Sequence, residues 1–473
     1  MKATRQIAAP TKRTKIVPLV EVVEFNPRFG KDELADDSLA SFIPMKCVEE
    51  ESGRFESLGN RKVAEVRKGY TPFRDGDVIF AKVTPCMENG KAAVLKGLTN
   101  GVGFGSTEFF ALRPKNGLDA NYLFHFILQS NFRRDAARNM TGAVGLRRVP
   151  KSWLEQQTIP LPEPDEQRKI VSEIEKHFTR LEAGVAALRR VQANLKRYRA
   201  AVLKAACEGK LVPTEAELAK TGNRKTKFEN GEALLTRILT ERRQNWQGRG
   251  KYKEPAAPNT ANLPSLPDGW TWATVDQLTA PEPNSITDGP FGSNLKTEHY
   301  TDSGPRVIRL QNIGDGVYVD EEAHITQAHF ERLQKHRIFA GDVVIAGFGE
   351  NPPRSCIIPE TLGPAIVKAD CIRFKPHGSV LSKYMNTALN SDPVRKRTKG
   401  MVHGVGRPRL NLGEIKSIAL PLPTLAEQTR IVAEVERRLS VVAELESVVT
   451  ANLQRATRLR QSILQKAFTG ELV

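Results

Sequence analysis

Residues 160–175 read PLPEPDEQRKIVSEIE, and residues 421–436 read PLPTLAEQTRIVAEVE. Nine of these 16 positions are identical, and the ungapped match extends from Ile159–Val212 to Leu420–Val473 at a constant offset of 420 − 159 = 261. Both copies open on Pro-Leu-Pro and Glu-Gln (Glu166-Gln167; Glu427-Gln428). Both run through roughly forty helix-prone residues and close on Gly-x-Leu-Val (Gly209 to Val212; Gly470 to Val473). The chain is built twice over, and its function is to be sought in that duplication.

From Val171 the apolar residues follow a heptad rhythm, with Val171, Phe178 and Val185 in one row and Ile174, Leu181, Leu188, Leu195 and Val202 in the other. The copy keeps Val432 and Leu439 in the first row and Val435, Val442, Val449 and Ile463 in the second. This spacing predicts a coiled-coil seam. Gln192, Arg199, Glu446 and Arg460 interrupt it, as polar residues that fix register commonly do. Each predicted rod follows a proline cluster, carries acidic residues near its first turn and ends at a glycine, the usual start and stop signals. Forty helical residues span about 60 Å, and an amphipathic helix of that length needs a partner. The two copies are expected to pair within one chain; packing on their own domains, or homodimerisation, is the alternative.

A chain of 473 residues is expected to hold more than one domain. The reading is α+β: two mixed α/β domains, residues 1–158 and 263–419, each followed by a rod, residues 159–212 and 420–473. Residues 213–262 form a polar, lysine-rich linker with one helix around Glu232 to Trp246 and a proline-rich tail. The halves diverge more than the rods, yet share landmarks. The turns at Gly76-Asp77 and Gly341-Asp342 each lead into a β-type run, and Arg113-Pro114 matches Lys375-Pro376. Helix-like stretches follow at Asn121–Met140 and Val380–Arg397. Glycine-rich basic loops then recur at 141–148 and 403–409.

A net charge of +17 with a pI near 9.7 points to a polyanionic partner, nucleic acid first. The five cysteines form no CxxC pair, so zinc fingers and disulfide frameworks are not expected and a reducing cytoplasm is. With no signal-like segment and no run of about 18 apolar residues, neither export nor a membrane partner is expected.

No catalytic constellation emerges. Asn351-Pro352-Pro353-Arg354 imitates the Asn-Pro-Pro-aromatic turn of amino methyltransferases, but Arg354 replaces the stacking ring. The Gly103-Phe104-Gly105 and Gly347-Phe348-Gly349 pairs do not sit between a strand and a helix of a nucleotide-binding unit, and there is no phosphate-binding loop. Asp77 and Asp342 read as turn residues rather than metal ligands, and no metal site is expected. The pattern is a reader without a catalyst. Candidate DNA contacts are Arg133, Arg134, Arg147 and Arg148 in the first half, and Lys296, Arg309, Gln311, Asn312, Arg407 and Arg409 in the second. Arginine pairs with guanine, Asn or Gln with adenine, and further cations hold phosphates.

The paired Pro-Leu-Pro, Glu-Gln, Ile-Val openings, the Gly-x-Leu-Val closures, Leu266-Pro267-Asp268-Gly269-Trp270 and the order domain, rod, domain, rod resemble the specificity (S) subunits of type I restriction-modification systems. The resemblance covers nearly the whole chain. It implies two target-recognition domains that each read half of a bipartite site in double-stranded DNA, separated by an antiparallel helix pair. Two modification (M) subunits would dock there and bring S-adenosylmethionine; restriction (R) subunits, with ATP and Mg, would join for cleavage. The first half lacks the Leu-Pro-x-Gly-Trp start, which leaves the start of its recognition domain open. The low similarity between halves implies an asymmetric target. A self-sufficient methyltransferase or nuclease is the alternative, and a coiled-coil scaffold a third reading.

Overall fold

Val78–Ala81 and Val343–Ala346, the runs after the two Gly-Asp turns, are strands buried at all four positions. Side chains alternate across a strand, and here they feed two cores. Val78 and Phe80 join one hydrophobic cluster while Ile79 and Ala81 join another; Val343 and Ile345 divide from Val344 and Ala346 in the same way. A strand covered on both faces reads as a continuous apolar run.

A computed structural model describes residues 14–30, 33–143, 145–221, 229–247, 250–349, 351–404 and 408–472. The chain divides into two units, Met1–Arg190 with Val449–Val473, and Val191–Val448. In the first, one sheet has the order Val23–Phe25, Phe109–Pro114, Val78–Ala81, Ala92–Val94, all antiparallel. A second has the order Asn60–Lys62, Leu39–Ile43, Val102–Gly105, Thr71–Arg74, with the two middle strands parallel. The second unit repeats both. Its sheets run Ile286–Thr287, Cys371–Phe374, Val343–Ala346, Arg354–Ile357, and His324–Ile325, Tyr300–Ile308, Ala365–Val367, Arg337–Ile338. The single parallel pair again lies in the middle of the second sheet.

A two-stranded ribbon completes each unit. Lys15–Pro18 pairs antiparallel with Thr158–Leu161, and Thr271–Thr274 with Ala419–Leu422, with Lys15 opposite Leu161 and Thr271 opposite Leu422. The repeated Pro-Leu-Pro segments are therefore largely strand, and the long helices begin just after them, at Pro164–Cys207 and Leu425–Thr469. The expected single helix late in each half is instead two, Ala120–Ile127 and Ser130–Arg138 in the first and Ser382–Leu389 and Asp392–Thr398 in the second. The linker helix forms at Gly231–Gln244, and a further short helix, Glu215–Thr221, precedes it.

The seam of the long helices is visible within each unit. In the first, Val171, Ile174 and Phe178 share a core with Ile463, Leu464 and Ala467, and Arg460 pairs with Glu182 at 3.3 Å while its guanidinium lies 4.0 Å over the Phe178 ring. In the second, Val202 and Ala206 share a core with Ile431, Val432 and Val435, and Arg199 pairs with Glu446 at 3.2 Å. Early residues of one helix meet late residues of the other, so the pairing is antiparallel. Leu195, Val442 and Val449 are buried; Leu181, Leu188 and Leu439 are half-buried. Of the polar interruptions, Arg199, Glu446 and Arg460 take part in ion pairs, whereas Gln192 is exposed. Both helices stop where Gly209 (φ +66°) and Gly470 (φ +77°) enter the left-handed region, and Lys210 N and Glu471 N donate back to Ala205 O and Lys466 O at 2.9 Å.

The glutamine of each Glu-Gln pair is a fastener. Gln167 accepts from Asp119 N at 2.8 Å and donates to Gly117 O and Pro162 O at 2.9 Å, joining the helix start to the loop that opens Ala120–Ile127. Gln428 repeats this with Leu381 N at 2.9 Å and Pro423 O at 3.2 Å. Tyr122 and Tyr384 add matching bonds from their hydroxyls to Pro160 O and Pro421 O, both 3.0 Å.

Candidate nucleic-acid interface

The glycine-rich basic loops are structural equivalents. Thr141 and Arg148 exchange backbone hydrogen bonds of 3.0 and 2.8 Å, and His403 and Arg409 exchange bonds of 3.1 and 2.9 Å. Each loop is then tied to the segment after the central buried strand, through bridges of Val83 to Arg148 and Phe348 to Arg409. The closed base fixes the flanking residues to a rigid sheet. Leu146 is 59% exposed there, and Arg147 is exposed, its side chain without a protein partner among the described residues. Arg148 is exposed too, but it pairs with Glu108 at 2.6 Å. The Arg148 guanidinium holds the Glu108 carboxyl below the usual carboxylate range. Arg409 is exposed, and Arg407 lies outside the described residues.

Other candidates fall elsewhere. Arg134 is exposed on Ser130–Arg138, whereas its neighbour Arg133 is 7% exposed, donates to Glu88 O at 2.6 Å and pairs with Glu51. Arg133 is thus committed to the fold, because its helix turns it toward the core side with Phe132 and Ala136. Arg309, Gln311 and Asn312 share one turn. Gln311 is exposed, Arg309 is half-buried and donates to Glu322 O at 3.1 Å, and Lys296 is exposed beside Glu298. Asn312 is fully buried: it accepts from Arg309 N at 2.9 Å and donates to Val319 O and Glu321 O. It holds the turn and has no free edge for a base.

The imitations of catalytic motifs resolve into packing. Asp77 accepts from Arg74 N at 2.7 Å and from Arg113 at 2.8 and 2.9 Å; Asp342 accepts from Phe339 N at 2.9 Å and Arg373 at 2.6 Å. Both close turns and neutralise a neighbouring arginine. Gly103 and Gly105 lie within a strand, where a Cβ would meet the Phe73 ring at 2.5 Å and Ile43 O at 2.3 Å, so they serve close approach rather than phosphate binding. Pro352 and Pro353 are buried, their carbonyls accepting from Thr398 and Arg395 at 3.1 Å. Among the described residues no group of three or more His, Cys, Asp or Glu is placed to hold a metal, and no helix is long and apolar enough to cross a membrane.

Comparison with known proteins finds similarity across most of the chain. Residues 12–187 match the family described as type I restriction modification DNA specificity domain. The chain is 26% identical to the type I restriction enzyme EcoAI specificity subunit of Escherichia coli, over 95% of this chain and 81% of that one. It is 25% identical to the EcoEI specificity subunit of Escherichia coli, over 95% and 82%. A solved structure described as the structural basis underlying complex assembly and conformational transition of the type I R-M system aligns with a TM-score of 0.65. It is 20% identical over 97% of this chain and 99% of that one, which marks a shared fold. The chain is similar to the specificity subunits of type I restriction-modification systems.

Proposed function

We infer that the protein is the DNA-recognition subunit of a type I restriction-modification complex and that catalysis resides in its partners. The observation that carries this is one eight-stranded topology present twice, with matched basic loops on divergent sequences. Two like scaffolds with unlike exposed side chains suit two unlike DNA words. We assign residues 1–158 and 263–419 as the recognition domains, each reading one half of an asymmetric bipartite site. The helices in 159–212 and 420–473 set the spacing of the half-sites and dock two modification subunits, and 213–262 is the linker. The excess of positive charge supplies sequence-independent affinity for duplex DNA.

Docking of partners is supported by an apolar face on the helices of the second unit. Val441 and Leu445, four residues apart, are 49% and 44% exposed, and Val191 and Tyr198, seven apart, are 41% and 46% exposed. Apolar residues at helical spacing that face solvent suit a partner helix. The modification subunits would bring S-adenosylmethionine and flip the target base, and restriction subunits would bring ATP and Mg. The complex would act in the cytoplasm.

Selection of the purified chain on random duplex DNA tests this, with calorimetry of S-adenosylmethionine binding alongside. Enrichment of a two-part motif with a fixed gap, and no methyl-donor binding, is the expected result. Stoichiometric methyl-donor binding by the chain alone would favour a self-sufficient methyltransferase, and indifference to DNA sequence would favour a scaffold.

A further inference from the structure

The two halves treat one position differently. In the first unit, Glu108, just before the strand Phe109–Pro114, pairs with Arg148 at the base of the glycine-rich loop, at 2.6 to 3.1 Å. The counterparts in the second unit are Asp370, just before Cys371–Phe374, and Arg409. These form no ion pair among the described residues. They line instead a cavity of about 270 Å³ with Asp288, Phe291 and Asn411. A carboxylate one methylene shorter leaves room where the first unit has a closed contact.

The cavity is built, not incidental. A Cβ on Gly289 would lie 2.0 Å from Lys368 C, so a glycine is what lets the 288–291 loop lie against the 368–370 loop and brings Asp288 and Asp370 to one rim. Asp370 holds a left-handed backbone conformation (φ +65°), a geometry that only Asn, Asp and Gly adopt readily. Phe291 is 48% exposed on this rim. Its counterpart in the first unit, Phe29, is instead half-buried, 5.9 Å from the Phe104 ring.

We propose that Arg409 and the Asp288–Asp370 rim read one G·C base pair of the second half-site. This rests on the DNA-reading function inferred above. The major-groove edge of guanine offers two acceptors, O6 and N7, which suit the guanidinium of Arg409; the paired cytosine offers the N4 amino group, a donor from which a carboxylate accepts strongly. An arginine beside two carboxylates, none of them in an ion pair among the described residues, matches that donor and acceptor pattern. In a chain of net charge +17, carboxylates that form no ion pair among the described residues would otherwise repel phosphate for no return. Phe291 supplies apolar contact at the rim, suited to a neighbouring thymine methyl group.

The test is selection of the full chain on random duplex DNA, comparing the natural protein with Asp370→Asn, Asp288→Asn and Arg409→Lys. Asn keeps the left-handed backbone at position 370, and its neutral amide oxygen accepts from an amino group more weakly than a carboxylate does. The natural chain is expected to require G·C at one position of one half-site. Asp370→Asn or Asp288→Asn should relax that position by about five- to a hundredfold and leave every other letter unchanged, and Arg409→Lys should relax the same position. If the natural chain yields a two-part motif that all three variants reproduce unaltered, the G·C assignment is wrong and the DNA-reading function stands. If the natural chain yields no motif, both fall. Loss of the whole second half-site in one variant, with the same loss in the other two, would mark a folding role and overturn the assignment.

Discussion

Replacing Gln167 with Ala isolates the fastener between the first long helix and its domain. The side chain is fully buried and makes three hydrogen bonds, to Asp119 N, Gly117 O and Pro162 O, at 2.8 to 2.9 Å. Its removal leaves one donor and two acceptors without partners in a space shielded from water. Each orphaned buried polar group costs about 1–3 kcal/mol. Carbonyls tolerate loss better than N–H groups, and a water can occupy part of the space left behind. A net destabilisation of about 3 kcal/mol follows, a large share of the 5–15 kcal/mol that domains commonly have. Hydrogen exchange resolved by peptide is the suitable assay, because two units need not unfold in one transition. Protection should fall at residues 117–125 and 162–170, while Arg168→Ala, an exposed neighbour, should leave them unchanged. Gln428→Ala should act on the second unit alone and more weakly, since only two bonds are formed there. Unchanged protection after Gln167→Ala, or equal losses in both units, would refute the fastener.

His125 is buried, with Nδ1 unpartnered and its ring 5.7 Å from Phe178; burial, with Arg460 as a lesser cause, pulls its pKa down to about 3. The unfolded chain therefore binds a proton first, at about pH 6.5. Stability from this group is complete above that pH and falls by about 1.4 kcal/mol per unit as pH drops toward 3, hence about 2 kcal/mol at pH 5. Chemical denaturation of His125→Phe against the natural chain across pH 5–7.5 should show that slope reduced in the first unit. Arg460→Met should destabilise the first unit by about 2 kcal/mol, since it removes the Glu182 pair and the bond to Glu51 O while keeping a flexible apolar stem over Phe178. Thermal melting checks this, and an unchanged midpoint would count against a role for Arg460 at the seam. Arg147→Ala should weaken DNA binding across all sequences and lower the salt slope by about one, with the melting midpoint intact. Arg133→Ala should instead lower the midpoint, because Arg133 is bonded inside the unit.

The helices and their limits were legible because their signals are local and repeated: a heptad rhythm, prolines before and a glycine after, each seen twice. The two-core character of Val78–Ala81 was legible as a run of apolar residues. The ribbon was not. Lys15–Pro18 pairs with Thr158–Leu161 across most of the unit, and both segments carry proline, which argues against strand in a local reading. The counterpart of Lys15–Pro18 in the second half, Thr271–Thr274, directly follows the Leu-Pro-x-Gly-Trp segment that the first half lacks. Strands of two residues, such as Ile286–Thr287 and Arg337–Ile338, leave too little pattern to detect. Among the site residues, chemistry was readable but direction was not. Arg133 and Asn312 have the side chains that read bases, yet both face inward. The spacing of Asn312 three residues after Arg309 is the signal that marks it as a cap, its Oδ1 accepting from Arg309 N. Asp288 and Asp370 belong to no sequence motif, and only the fold brings them to one cavity.

On the function proposed above, each duplicated domain reads its own half of one DNA target. Exchanging residues 1–158 for the corresponding domain of another specificity subunit, in cells that supply the modification partners, and sequencing the methylated genomic DNA tests it most directly. One half of the methylated motif is expected to change while the other half and the gap stay as they were. A motif unaltered by the exchange, or altered in both halves at once, would contradict it.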